Sequence, residues 1–165
     1  MTAVTKWVAN DLKQNTSVLK VIQSTLSKAS GVDIAVSYAL LSGWELLEPA
    51  LGRLASGRVR MLVTGQLAIT QPQALRRALE TGVQLRIFDG RIYHPKVYLF
   101  YGEGGRRDTA IVGSANISES ALTTSVEAGV STTDRGLVRQ MSGWFDELFN
   151  DAKYSTVVDD PPEGS

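Results

Sequence analysis

At 165 residues, with 43% hydrophobic and 21% charged side chains, the chain has the size and composition of one soluble globular domain with a sizeable core. It has no cysteine and a single histidine, which argues against a disulfide framework and a conventional zinc site. No apolar run approaches the roughly 20 residues that span a bilayer. Residues 1–11 lack the apolar core of a signal peptide, so we expect a cytoplasmic protein without membrane contact.

The formal net charge is zero, but the charges are unevenly distributed along the chain. Residues 53–107 hold ten basic and three acidic side chains, whereas residues 108–165 hold three basic and ten acidic ones. Guanidinium groups match phosphate oxygens, so the basic segment suits a phosphate-rich partner. A solvated surface balanced by the acidic final third explains the same counts equally well.

The first half of the chain alternates between helical and strand patterns. One helix is predicted at residues 17–29, and two more are predicted to begin at capping boxes, formed by Ser42 with Glu45 and by Thr70 with Gln73. Strands are predicted at residues 32–40, 58–64 and 83–88. This αβαβαβ order indicates parallel strands with helices packed over them.

The pattern changes after an Asp89-Gly90 turn. Further strands are predicted at 95–101, 108–112 and 125–131, a short helical turn at 117–122, and a last helix capped by Asp134. The polar residues 159–165 have no means of packing and read as a flexible tail or a linker to a further domain, which leaves residues 1–158 as the folded domain.

Five polar residues lie on or just after these later strands. His94 and Lys96 have the i, i+2 spacing that places two side chains on one face of a strand. Ser114 and Asn116 repeat this spacing in a glycine-led loop, where a hydroxyl and an amide can donate to an anion. Glu127 is a carboxylate within an apolar strand pattern and should have a partner if it is buried. Each of them, taken singly, has an ordinary structural explanation.

Taken together, His94-x-Lys96 followed about twenty residues later by Gly113-Ser114-x-Asn116 resembles the phospholipase D superfamily, with a direct match from Ile92 to about Val130. The resemblance implies an α/β/α sandwich around a mixed, largely parallel sheet. Many members carry an aspartate five residues after the lysine, where this chain has Tyr101. The position of Glu127 is similar to that in the bacterial nuclease and metal-independent restriction-endonuclease branch.

The resemblance also implies a reaction without metal or cofactor. One histidine attacks phosphorus and forms a phosphohistidine, and a second protonates the leaving oxygen and then activates water. This chain has one histidine, so the resemblance implies a homodimer in which two copies of His94 complete one site. Lys96 and Asn116 would hold the phosphoryl oxygens, Ser114 would assist by hydrogen bonding, and Glu127 would orient the imidazole.

The substrate is left open by the resemblance. The arginine-rich segment favours nucleic acid, with DNA ahead of RNA, and Arg91, Arg106 and Arg107 are candidate contacts to its backbone. No base-reading motif is visible, so sequence specificity, as in restriction-modification, would require a separate recognition or helicase domain. The alternatives are a phospholipase D-type hydrolase of lipid headgroups and a non-catalytic nucleic-acid-binding dimerisation module.

Overall fold

The computed structural model describes residues 2–54, 56–65, 69–104 and 106–160. The strands are β1 (Thr5–Ala9), β2 (Ala29–Val36), β3 (Val59–Thr64), β4 (Gln84–Phe88), β5 (Lys96–Gly102), β6 (Thr109–Gly113), β7 (Ala128–Thr132) and β8 (Ser155–Val157). The helices are α1 (Val18–Leu26), α2 (Leu41–Leu51), α3 (Pro72–Glu80), α4 (Glu119–Thr123) and α5 (Arg135–Phe149). From residue 161 onward, the predicted tail lies outside the described residues.

The strands form one open mixed sheet in the order β1-β7-β6-β5-β2-β3-β4-β8. The helix-flanked mixed sheet confirms the predicted α/β fold class, but the expectation that it is largely parallel is wrong. Only β2–β3 and β3–β4 are parallel, and the other five neighbouring pairs are antiparallel. The connection between β4 and β5, residues 89–95, is shorter than the dozen or so residues that a parallel crossover needs, so β5 enters the sheet in the opposite direction.

The sheet lies between two helical layers. Helices α1 to α4 bury their apolar faces on one side, in a core that includes Trp44, Ile34 and Tyr98. Helix α5 covers the other side with Phe145 and Phe149. Within the described ranges, no helix is both long and apolar enough to cross a membrane.

Three predicted boundaries differ from the structure near the carboxyl end of β2. This strand ends at Val36 rather than residue 40, because the next residues leave the sheet and bond to the Asn116 segment. The predicted capping boxes are wrong, since α2 and α3 begin without a side-chain cap. The Ser42 hydroxyl instead accepts a hydrogen bond from the backbone N–H of Glu119 at 3.4 Å.

Candidate active site

His94 lies immediately before β5, in a segment that is anchored on both sides. The side chain of Tyr93 is buried, and its hydroxyl donates to the Leu62 carbonyl at 2.7 Å. On the other side, the Lys96 ammonium donates to the His94 carbonyl at 2.9 Å. The imidazole itself is exposed and has no hydrogen-bond partner among the described residues. The backbone is therefore held while the ring stays free to meet a substrate.

Lys96 connects this segment to the end of β2. Its ammonium also donates to the Ser37 hydroxyl at 3.1 Å, which leaves one of its three N–H donors free. Desolvation by partial burial lowers the pKa of Lys96, and the negative charge of Glu127 opposes this shift. Lys96 is therefore a fixed cation beside the histidine.

Asn116 is oriented by backbone groups at the same end of β2. Its side chain is buried, and Oδ1 accepts from the backbone N–H groups of Ser37 at 3.0 Å and Tyr38 at 3.2 Å. Only the carboxamide oxygen can accept these bonds, so the orientation of the amide is determined. Nδ2 has no acceptor within the described ranges and is a donor available to a ligand.

Glu127 and Ser114 form a pair where β6 ends and β7 begins. Glu127 is half-buried and precedes β7, rather than lying inside that strand as predicted. The Ser114 hydroxyl donates to its carboxylate and accepts from the backbone N–H of Ala128 at 3.0 Å. Within this chain the hydrogen-bond partner of Glu127 is Ser114, not the imidazole of His94. Its charge nevertheless acts on Lys96 and opposes the lowering of the pKa of that ammonium, so the carboxylate lies within electrostatic range of it.

Two close backbone approaches hold these loops in place. Gly113 of β6 lies opposite Gly129 of β7, and a Cβ on Gly129 would lie 2.5 Å from the Val112 carbonyl oxygen. A Cβ on Gly43 of α2 would lie 2.4 Å from the backbone nitrogen of Ser118, two residues after Asn116. The small glycines thus allow the Ser114–Glu127 contact and the packing of the Asn116 loop on α2.

This geometry agrees with a comparison against known protein families. The family model described as the cardiolipin synthase, PLD-like domain, where PLD denotes phospholipase D, matches residues 19–149. The chain belongs to this family. It is therefore a phospholipase D-like domain of the phosphodiesterase family. A search of curated protein sequences finds no match.

Solved structures share the fold of this phospholipase D-like domain. Nuc, a phospholipase D family member from Salmonella typhimurium, has a TM-score of 0.73 at 15% identity, over 95% of this chain and 99% of that one. NucT from Helicobacter pylori has a TM-score of 0.71 at 15% identity, over 95% of this chain and 100% of that one. Phosphatidylserine synthase from Haemophilus influenzae gives 0.67 at 15% identity, over 99% of this chain but 42% of that one.

Tyr101, the departure from the family pattern, lies at the far end of β5 from Lys96. Its hydroxyl donates to the Asp33 carboxylate at 2.6 Å, and Arg60 binds the same carboxylate through two contacts of 2.7 Å. The neighbouring strand β2 therefore supplies a buried carboxylate at this end of the sheet, and the tyrosine does not touch the candidate site.

The structure separates the three candidate backbone-binding arginines. Arg91 is exposed in the turn three residues before His94. Arg106 and Arg107 lie beyond the other end of β5, roughly 20 Å from Lys96 at about 3.3 Å per strand residue. Only Arg91 is therefore close to the histidine, and the predicted binding role of all three stays a prediction.

Ser37 is the site residue that the sequence did not indicate. It is buried at the end of β2, where its hydroxyl accepts from Lys96 and its backbone N–H donates to Asn116. In the sequence it is only a serine within the predicted strand at residues 32–40. No group of three or more His, Asp or Glu side chains within the described ranges is placed to hold a metal ion.

Proposed function

We propose that this domain is a metal-independent endonuclease that cleaves nucleic-acid phosphodiester bonds through a phosphohistidine. The observation that carries the proposal is the exposed imidazole of His94 beside two oriented donors, Lys96 and Asn116. The ammonium keeps one free N–H, and Nδ2 of Asn116 has no acceptor among the described residues. Such donors can bind the non-bridging oxygens of a phosphodiester and stabilise the charge that develops there.

In the first step a nitrogen of one His94 attacks phosphorus. A P–N bond forms and the P–O bond to the leaving strand breaks, while a second imidazole protonates the departing oxygen. In the second step that imidazole takes a proton from water, and the water oxygen displaces the histidine from phosphorus. The products are a strand ending in a hydroxyl, a strand ending in a phosphate monoester, and the free histidine.

The second imidazole must come from another copy of the chain, because His94 is the only histidine in it. We therefore propose a homodimer with its twofold axis beside His94, so that both imidazoles flank one phosphate. The exposure of His94 supports this arrangement, since a buried ring could not reach a partner's site. Glu127, already bonded to Ser114, would orient one imidazole or stabilise its cationic form once the partner is in place.

Nucleic acid is the proposed substrate because of the charge around the site and along the chain. Arg91 is exposed near His94, and the segment of residues 53–107 is strongly basic. We propose DNA before RNA, with sequence selection supplied by a separate recognition or helicase domain, as in a restriction system. The lipid alternative shares the same chemistry at phosphorus, and its fold relative is phosphatidylserine synthase.

Nicking of supercoiled plasmid in excess EDTA tests the proposal directly. Wild type should nick the plasmid, and His94→Ala should lose at least 1,000-fold in rate, on the order of a removed nucleophile. Lys13→Ala, on the exposed surface, serves as the control and should keep the wild-type rate. Loss of wild-type cleavage in EDTA would overturn the metal-independent mechanism, and equal cleavage by His94→Ala would overturn the site.

A parallel assay separates the two alternatives. Vesicles that contain phosphatidylcholine or phosphatidylglycerol should release no headgroup under the same conditions. Headgroup release without plasmid nicking would favour the phospholipase D-type enzyme. Plasmid binding by wild type with neither reaction would favour the non-catalytic binding module.

A further inference from the structure

A second basic surface lies at the end of the sheet remote from His94. It is an open groove of about 890 Å³ between helix α1 and the far ends of β1, β7, β6 and β5. Five cationic side chains line it, namely Lys6, Lys20, Lys28, Arg106 and Arg107. They come from three separate parts of the chain, so the fold rather than a sequence run brings them together.

The described lining of this groove offers its cations no carboxylate partner. Within the described ranges, no aspartate or glutamate lines the groove, and none of the five forms a salt bridge. Lys20 donates only to neutral oxygens of Asn15, at 2.8 Å each. Four of the five side chains are exposed, and Arg107 is half-buried. Cations that share one groove repel one another, and an anion bound among them relieves this repulsion.

The adjacent cleft shows that this imbalance is local. That cleft, of about 1020 Å³, is lined by Arg135 and Arg139 in addition to Arg106 and Arg107. Asp108, Asp134 and Asp146 also line it, so three carboxylates offset part of the charge of its four arginines. The groove beside α1 has in their place a lining rich in hydroxyls, which donate readily to phosphate oxygens.

We infer that the groove lined by Lys6, Lys28, Arg106 and Arg107 binds the phosphate backbone of a nucleic acid at a distance from the bond that is cleaved. This inference rests on the proposed nuclease function and extends it. Strand β5 separates the groove from Lys96 by roughly 20 Å, which equals about six base pairs at 3.4 Å each. A duplex must therefore continue at least that far beyond the cleaved bond to occupy both sites.

Binding measurements in the inactive His94→Ala background test the inference. A fluorescent 30-base-pair duplex should bind more tightly than an 8-base-pair duplex that is centred on the site. The variant with Lys6, Lys28, Arg106 and Arg107 all changed to Gln should lose most of this advantage. Its slope of log K against log salt should become shallower by about 0.9 for each lost phosphate contact, about 3.6 in all.

Arg139→Gln is the matched control, because it removes one charge from the compensated cleft next to the groove. It should keep the length dependence and the salt slope, whereas Arg106→Gln should change both. Equal losses in these two single variants, or an unchanged salt slope in the fourfold variant, would overturn the inference. Thermal melting of each variant checks that it is folded.

Two further measurements distinguish a failure of this inference from a failure of the proposed function. Hydrolysis of bis(p-nitrophenyl) phosphate by wild type reports on the chemistry alone, and its absence would count against the nuclease while the binding data still stand. Tight binding to anionic phosphatidylglycerol vesicles, with no binding to the long duplex, would overturn nucleic acid as the partner of the groove.

Discussion

At the scale of single residues, Lys96 has an environment that predicts a pH dependence. The ammonium is the form that stabilises a phosphoryl oxyanion, and burial lowers its pKa from the ordinary lysine value of 10.5. Activity should therefore be present at lower pH and be lost at a pH below 10.5 as the ammonium deprotonates. In Lys96→Arg the charge persists, so the alkaline limb of kcat/KM should move to higher pH while the maximum rate falls.

The control for this measurement is Lys13→Arg, which changes an exposed lysine outside the site. Its profile of kcat/KM against pH should coincide with that of wild type. An alkaline limb that stays in place in Lys96→Arg would show that another group sets it.

A second prediction at this scale concerns the carboxylate at the far end of β5. Asp33 is buried and bonds to both Arg60 and Tyr101. Asp33→Ala should lower the free energy of unfolding by about 3–5 kcal/mol, because it leaves the partly buried Arg60 without its main partner. Tyr101→Phe removes the hydrogen bonds of the phenol hydroxyl to Asp33 and Ser142 and should cost about 1–3 kcal/mol.

Urea denaturation measures both changes. The exposed Arg58–Glu103 pair is the reference, and Glu103→Ala should change the free energy by less than about 1 kcal/mol. If Asp33→Ala were as mild as Glu103→Ala, the network around Arg60 would have no structural role.

The candidate site was predictable only where its residues form a motif. His94, Lys96, Ser114 and Asn116 stand out because two short spacings occur in the expected order. Ser37 did not, because a single serine within a predicted strand is common, and its contacts to Lys96 and Asn116 come from parts of the chain 59 and 79 residues away. The distance of Arg106 and Arg107 from Lys96 could likewise not be predicted without the length and direction of β5.

At the scale of secondary-structure elements, the approach of β6 to β7 depends on paired glycines. Gly129→Ala would place a Cβ 2.5 Å from the Val112 carbonyl oxygen and 2.9 Å from the Cα of Gly113. Backbone atoms cannot move aside cheaply, so we expect a loss of about 1–3 kcal/mol in stability. We also expect reduced cleavage, because the strands that position Ser114 and Glu127 must separate.

Gly143→Ala is the matched control for this change. Gly143 lies in α5, and a Cβ there meets nothing within 4 Å, so alanine should stabilise the helix by up to about 1 kcal/mol. Thermal melting measures the stability of both variants, and plasmid nicking measures their activity. Wild-type stability and activity in Gly129→Ala would contradict the packing argument.

Elements with many regularly spaced apolar residues were predictable from the sequence, and the edge strands were not. The helices α1, α3 and α5 and the strands β3 and β4 follow the predicted order. β1 and β8 were missed, since they are short, lie at the edges of the sheet, and have mostly exposed side chains. β5 was predicted as a strand, but its direction depends on the shortness of the turn that precedes it.

At the scale of the whole molecule, the two proposed anion-binding regions lie at opposite ends of one sheet. In this proposal the site at His94 would supply the chemistry, and the groove beside α1 would hold the backbone of a long substrate. The sequence shows the excess of arginine but not this division, because the lysines of the groove belong to an electrically balanced first third of the chain.

The central claim is that one active site uses His94 from two subunits, and subunit dilution tests it most directly. Wild type and His94→Ala are denatured together, refolded at equal concentrations, and assayed for plasmid nicking in EDTA. If each site needs both histidines, only the wild-type homodimers cleave, and activity should be about a quarter of that of an all-wild-type sample. Activity of about one half, in proportion to the wild-type subunits, would mean that each chain works alone and would contradict the shared site.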